Sequence, residues 1–141
     1  MSSSVDDFAV KIPSETSQGR EIQERIIGLL ESRSYPDRDL FGVRLALEEA
    51  LVNAIKHGNG MDPSKQVRVD CTFDEDRVTI VIEDEGPGFD VGSVPDPTSE
   101  ENLDNPGGRG IMLMRSFMSR VEYNDSGTRL LLEKIRATED E

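Results

Sequence analysis

No tryptophan occurs in these 141 residues, and cysteine and histidine occur once each. With Cys71 alone, an intrachain disulfide is impossible and a zinc site built from cysteines has no basis. Basic residues are also scarce, since 16 Lys and Arg face 29 Asp and Glu, for a formal charge of -13. Binding along a nucleic acid requires the opposite sign, because phosphates are neutralised by Lys and Arg, and an anionic membrane is disfavoured for the same reason. No apolar run approaches the roughly 18 residues of a membrane helix, and Met1 to Asp7 has neither the basic start nor the apolar core of a secretory signal. The expected address is therefore the cytoplasm. An acidic surface does suit a basic protein partner, steered by complementary charge, although solubility alone would account for it equally well.

Apolar residues make up 35% of the chain and are gathered into periodic segments, enough for one two-layer core. A single domain over 1–141 is expected, its core spanning about 8–136. Phe8, Val10 and Ile12 alternate up to Pro13, which predicts a strand. Ser14 or Thr16 is placed to cap a helix over 17–33, where Ile22, Ile26, Ile27, Leu29 and Leu30 oppose Arg20, Glu21, Glu24 and Arg25. A second helix opens near Pro36 and carries Leu40, Val43, Leu47, Leu51 and Ala54 in one stripe, ending at Gly58-Asn59-Gly60. Val67, Val69 and Cys71 then alternate with polar residues, and Asp74-Glu75-Asp76 turns the chain into the apolar run 78–82, forming a hairpin.

Residues 90–106 hold three of the seven prolines and five acids without periodicity. A loop of this length in a small domain usually serves function, often as a lid, expected here over about 90–107. Ile111, Met112, Met114, Phe117 and Met118 recur at helical spacing, and Val121–Tyr123 with 128–135 reads as a closing hairpin around Asp125-Ser126-Gly127. The methionines 112, 114 and 118 read as core filler, Cys71 as a buried strand residue and 137–141 as a frayed acidic tail. The order implies an α+β fold, with helices on one face of a mostly antiparallel sheet.

Three short motifs carry chemistry. Glu49 and Asn53 are four residues apart, so on a helix they lie about 40° apart around the axis and one turn along it. They flank the apolar stripe beside Ala46 and Ala50, whose small side chains leave room for a ligand. Asp84 ends a buried strand ahead of Gly86 and Gly88, where a carboxylate can accept from an exocyclic amine such as N6 of adenine and the glycines permit close backbone approach. Gly107, Gly108 and Gly110 precede a helix, so free N–H groups and the helix start can receive phosphate oxygens. No Lys or Arg occurs between Arg77 and Arg109. The charge of a triphosphate there falls to N–H groups, to Arg109 (alternatively a plain lid residue) and to a cation such as magnesium, with the Asn53 carboxamide as one ligand. Glu49 is then placed to accept a proton from an attacking hydroxyl or water; the adjoining Glu48 is the alternative base, without the four-residue spacing to Asn53. His57, one turn past Asn53, is close enough to reach such a nucleotide, although magnesium prefers oxygen and a helix-end role suits it better.

The Glu-x-x-x-Asn helix, the Asp-x-Gly-x-Gly-Phe turn and the Gly-Gly-Arg-Gly-Ile-Met-Leu-Met segment resemble the N box and the two glycine boxes of the GHKL ATPases. The short lid resembles most the anti-sigma factor serine/threonine-protein kinases of the bacterial RsbW and SpoIIAB type, over roughly residues 8–136. The resemblance implies a two-layer α/β sandwich of the histidine kinase-like (Bergerat) type with an ATP lid. It also implies Glu49 as general base, Asn53 as magnesium ligand and Asp84 as the adenine-reading acid. Gly86, Gly88, Gly108 and Gly110 become phosphate loop and lid hinges, and Thr128 supports the adenine through Asp84 or water. The implied partners are a sigma factor and a STAS-type antagonist that is the phosphorylated substrate, with the kinase as a homodimer. Two other readings use the same boxes: a non-catalytic ATP-binding regulatory module, and a stand-alone histidine-kinase-type ATPase domain, for which His57 is the only histidine on hand.

Overall fold

The computed structural model describes residues 7–74, 76–87, 106–124 and 126–137, with the backbone alone over 106–111. Its elements are β1 (Phe8–Pro13), α1 (Thr16–Ser32), α2 (Asp37–Val52), β2 (Gln66–Asp74), β3 (Arg77–Glu83), α3 (Pro106–Phe117), β4 (Arg120–Tyr123) and β5 (Arg129–Ile135). The five strands lie in the order β1-β2-β3-β5-β4, and every neighbouring pair is antiparallel.

Strand alternation sets which face is buried. Val69 pairs with Val10 and Ile82, and Ile82 with Leu130, while Cys71 pairs with Ile80 and Ile80 with Leu132. Because these positions share one parity, they form continuous apolar rows on one face. Against those rows α1 lays Ile22, Ile26, Ile27 and Leu30, and α2 lays Val43, Ala46, Leu47, Ala50 and Leu51, all in one core. Cys71 is fully buried there, as are Met114 and, nearly so, Met118. Met112 departs from the core-filler expectation and is 40% exposed, because α3 turns that position outward.

The helix ends differ from the expectation in two places. Neither Ser14 nor Thr16 caps α1: Glu15 holds the cap position without a side-chain bond. The Ser14 hydroxyl instead donates to the Lys65 carbonyl at 2.7 Å and accepts from the Asn59 amide at 2.9 Å. The glycines 107, 108 and 110 do not precede α3 but form its opening, behind Pro106, whose fixed φ suits a first helical position. Each glycine costs a helix about 1 kcal/mol relative to alanine, so this turn is intrinsically weak.

Ala137 is not frayed, since its N–H donates to the buried Asp39 carboxylate at 2.8 Å and so ties the end of β5 to the start of α2. Residues 138–141 lie outside the described residues, as do Gly88 and the lid segment through 105.

One buried amide organises the joint between the layers. Asn59 donates to Ser14 and to the Gln66 carbonyl, and accepts the Glu85 N–H at 2.7 Å. It thereby fastens the end of α2, the ends of β1 and β2, and the turn after β3. Removing it strands three polar partners at about 1 kcal/mol each. Asn59→Ala is expected to lower unfolding free energy by roughly 3 kcal/mol in urea titration; a loss within the error of the titration would show that the network contributes nothing.

Candidate functional site

The site begins where α2 changes its winding. Through Asn53 the α-helical pattern holds, because its N–H still donates to the Glu49 carbonyl, and the two side chains therefore sit one turn apart on adjacent coils. From Asn53 to Gly58 the turn widens to a π-helix, and the Asn59 N–H reaches back five residues to Ala54 at 2.9 Å. Such π turns are rare and concentrate at functional sites. Met61 and Gly60 then take φ of 56° and 61°, and the Met61 N–H closes the end on Ile55 at 2.8 Å.

Against this widened end sits the turn after β3. A Cβ on Gly86 would stand 1.8 Å from the Gly58 carbonyl oxygen, and a Cβ on Gly58 would stand 2.4 Å from the Asp84 carboxylate. Gly86 is required by backbone approaching backbone, and Gly58 by the Asp84 side chain lying on it. The surface that Gly86 meets is the helix end, where a ligand is expected from the sequence alone. Asp84 is held on three sides: its N–H donates to the Thr128 carbonyl at 2.9 Å, its carboxylate accepts the Gly86 N–H at 2.9 Å, and Gly58 lies beneath it.

Partial burial of Asp84 raises its pKa, with the neighbouring Glu83 adding to the effect, while the Gly86 N–H and Lys65 work against it. Stability from this group is fully present below the ordinary carboxylate pKa and is lost as pH rises through the raised value. At neutral pH the ionised, partly dehydrated carboxylate is thus a cost to folding.

Tyr123, at the end of β4, relates side chains of two of the three sequence motifs. Its hydroxyl is hydrogen-bonded by the Asn53 side chain, and it lies within electrostatic reach of Asp84, Glu49 and Arg115. Burial pushes its pKa up to about 12, against the lowering effect of Asn53. Glu49, Asn53 and Asp84 therefore all act on one phenol, although they come from two places more than thirty residues apart in the chain.

The other candidates take less central places. Thr128 joins Asp84 through its backbone, but its hydroxyl is engaged by Ser126 at 2.9 Å and by the Asn124 amide at 3.3 Å within the hairpin turn. His57 is exposed in the π turn. Gly107, Gly108, Arg109 and Gly110 lie in the first turns of α3. That helix packs on α2 through Phe117, edge-on to Phe41 at 6.0 Å between ring centres.

Sequence reasoning missed Asn59, Tyr123, Lys65 and Arg115. Asn59 was read only as part of a helix stop. The pattern that places Val121 and Tyr123 on the inward face of β4 was the one available signal for the phenol.

Residues 12–134 match the histidine kinase-like ATPase domain. A serine-protein kinase RsbW of Bacillus velezensis is 28% identical over 141 aligned positions, covering 95% of this chain and 88% of that protein. The RsbW serine-protein kinase of Bacillus subtilis is 26% identical over 141 positions, with 95% and 88% covered. An anti-sigma F factor of Clostridium perfringens is 33% identical over 102 positions, covering 68% of this chain and 72% of that protein. The match extends over most of the chain, from the last residues of β1 to β5, and the chain belongs to the family of histidine kinase-like ATPase domains.

Proposed function

We propose that this protein is an ATP-dependent anti-sigma factor and serine/threonine-protein kinase, which restrains a sigma factor and phosphorylates a STAS-type antagonist protein. The observation that carries the reading is the close packing of Asp84 and Gly86 on Gly58, at the end of the helical run that holds Glu49 and Asn53 one turn apart. Relatives named as serine-protein kinases and anti-sigma factors support the activity and the partner class. A homodimer in the cytoplasm fits the same reading. Among the described residues no helix is long and apolar enough to cross a membrane.

Adenine would lie against Asp84, whose carboxylate accepts from the N6 amine, a contact that the carbonyl of guanine cannot make. The phosphates would extend toward the opening of α3, where Gly107, Gly108 and Arg109 stand in a first turn whose N–H groups have no partner within the helix. Two carboxylates, Glu49 and Asp84, then stand close to a highly charged anion, with Lys65 and Arg115 the nearby cations.

Among the described residues no group of three or more His, Cys, Asp or Glu could hold a metal by itself. That donor set fits magnesium carried in by the nucleotide, since this ion keeps several waters and needs few protein oxygens. Asn53 would supply one oxygen. When bound, magnesium neutralises charge on the phosphates during transfer. Glu49 accepts the proton of the attacking serine or threonine hydroxyl as that oxygen forms its bond to the γ-phosphorus and the bond to ADP breaks.

Glu49→Gln is expected to retain ATP binding while transfer of labelled phosphate to a STAS-domain protein falls by about 10²–10⁴-fold. Transfer at the original rate would remove Glu49 from the chemistry, and absence of transfer in the unaltered protein would reduce the reading to nucleotide binding. Asp84→Asn should weaken ATP binding by at least roughly tenfold, the scale of one lost specific hydrogen bond. The same variant should melt at an equal or higher temperature at pH 7, an advantage that fades as pH falls below the ordinary carboxylate range, because Asp84 is then uncharged in both states. A lower melting temperature at pH 7 would contradict the assigned cost of the carboxylate.

A further inference from the structure

Lys134 stands on the side of its strand where a charge is not expected. Along β5 the side chains of Leu130 and Leu132 enter the core, and Lys134, next in the same alternation, is paired with the buried Val78. An ammonium taken out of water on an apolar face is costly unless charges and acceptors meet it. Two groups do. Its Nζ donates to the Phe117 carbonyl at 2.7 Å and lies 3.8 Å from the buried Asp39 carboxylate. That carboxylate is itself fixed, because its other oxygen accepts the Ala137 N–H at 2.8 Å.

The two charges join two helix ends. Phe117 closes α3, so its carbonyl is one of those without a partner inside the helix, at the negative end of the helix dipole. Asp39 lies in the first turn of α2, at the positive end of that helix. Packing holds the same place: a Cβ on Gly42 would stand 3.0 Å from the Phe117 side chain, and the Ser119 N–H donates to the Glu133 carbonyl at 2.8 Å. The C-terminal end of α3 is therefore pinned to α2 and β5 at once. Its opening turn, with glycines at 107, 108 and 110, is intrinsically weak and takes its direction from the rest of the helix. A buried ion pair is weak evidence for stability, and its best-attested use is to fix how elements register.

Resting on the nucleotide reading above, we infer that Lys134 is a positioning residue for the phosphates: held by Asp39, its ammonium sets the tilt of α3 and so the direction in which the glycine turn presents its N–H groups. The lever is long. The 12 residues of α3 span about 18 Å, so a tilt of about 10° at Phe117 carries the opening turn by about 3 Å. Donors aimed at a ligand must hold their places to roughly 0.5 Å to keep their bonds.

The test compares ATP and adenosine binding to the full chain by calorimetry, in the unaltered protein and in Lys134→Met, Lys134→Arg and Asp39→Asn. Methionine keeps the stem in the core and removes the ammonium, while arginine keeps a cation. Asparagine keeps an oxygen for the Ala137 N–H and removes only the charge, a milder change should Lys134→Met fail to fold. Lys134→Met is expected to weaken ATP binding by roughly three- to thirtyfold, the range of coupling carried between sites through packed elements. Adenosine, which has no phosphates, should bind with unchanged affinity, and Lys134→Arg should recover most of the loss. Asp39→Asn should show the same split between ATP and adenosine to a smaller degree. A lowered melting temperature with ATP affinity unchanged would mean that the pair serves stability alone and would overturn the inference, leaving the nucleotide site intact. Equal weakening of ATP and adenosine would overturn it too, as the mark of a general distortion. If the unaltered protein binds no ATP, the site reading fails first and the inference falls with it.

Discussion

Where α2 ends, its backbone touches the backbone of the turn after β3, and the geometry of the whole site follows from that contact. Two residues without side chains, Gly58 and Gly86, bring a carbonyl so near that a single added carbon would collide at 1.8 Å. The approach puts the Asp84 carboxylate directly on the helix that carries Glu49 and Asn53. Asn59 then locks the contact from the buried side, with bonds to β1, β2 and the turn. A helix and a strand end that share one packed joint move as one body, so the distance between Asp84 and Asn53 is a property of the fold rather than of a flexible loop.

This arrangement carries an electrostatic tension. Burial and a neighbouring acid disfavour the charged form of Asp84, yet any hydrogen bond that a partly dehydrated carboxylate accepts competes with less water. Glu49 adds a second negative charge near the same phenol. A protein selected only for stability would replace one of these acids. Two acids in one half-buried neighbourhood therefore mark a candidate site rather than plain surface.

Much of the architecture was legible because it rests on periodicity. Strand alternation around Val69, Cys71, Ile80 and Ile82 and the helical stripe Val43, Leu47 and Leu51 each follow from burying one face of a regular element. The same logic did not extend to ends and joints. Ser14 looks like a helix cap from its neighbours, but its hydroxyl is taken by Lys65 and Asn59, fifty-one and forty-five residues away. Met112 fits a core pattern and is turned outward, because a 12-residue helix packed on α2 has only one face to hide. Long-range partners of this kind leave no mark on local spacing.

Within the site the division is similar. The chain alone determined that a carboxylate and an amide lie one turn apart on a helix, and that an acid before two glycines ends a buried strand, since both follow from local geometry. Only the tertiary structure decided that these two places meet, that the helix widens at Asn53, and that Tyr123 from the far edge strand reaches the amide. Such contacts depend on sheet order, which sets β4 beside β5 and β5 beside β3. That order is fixed by the joint burial of all the apolar rows at once and not by any one segment.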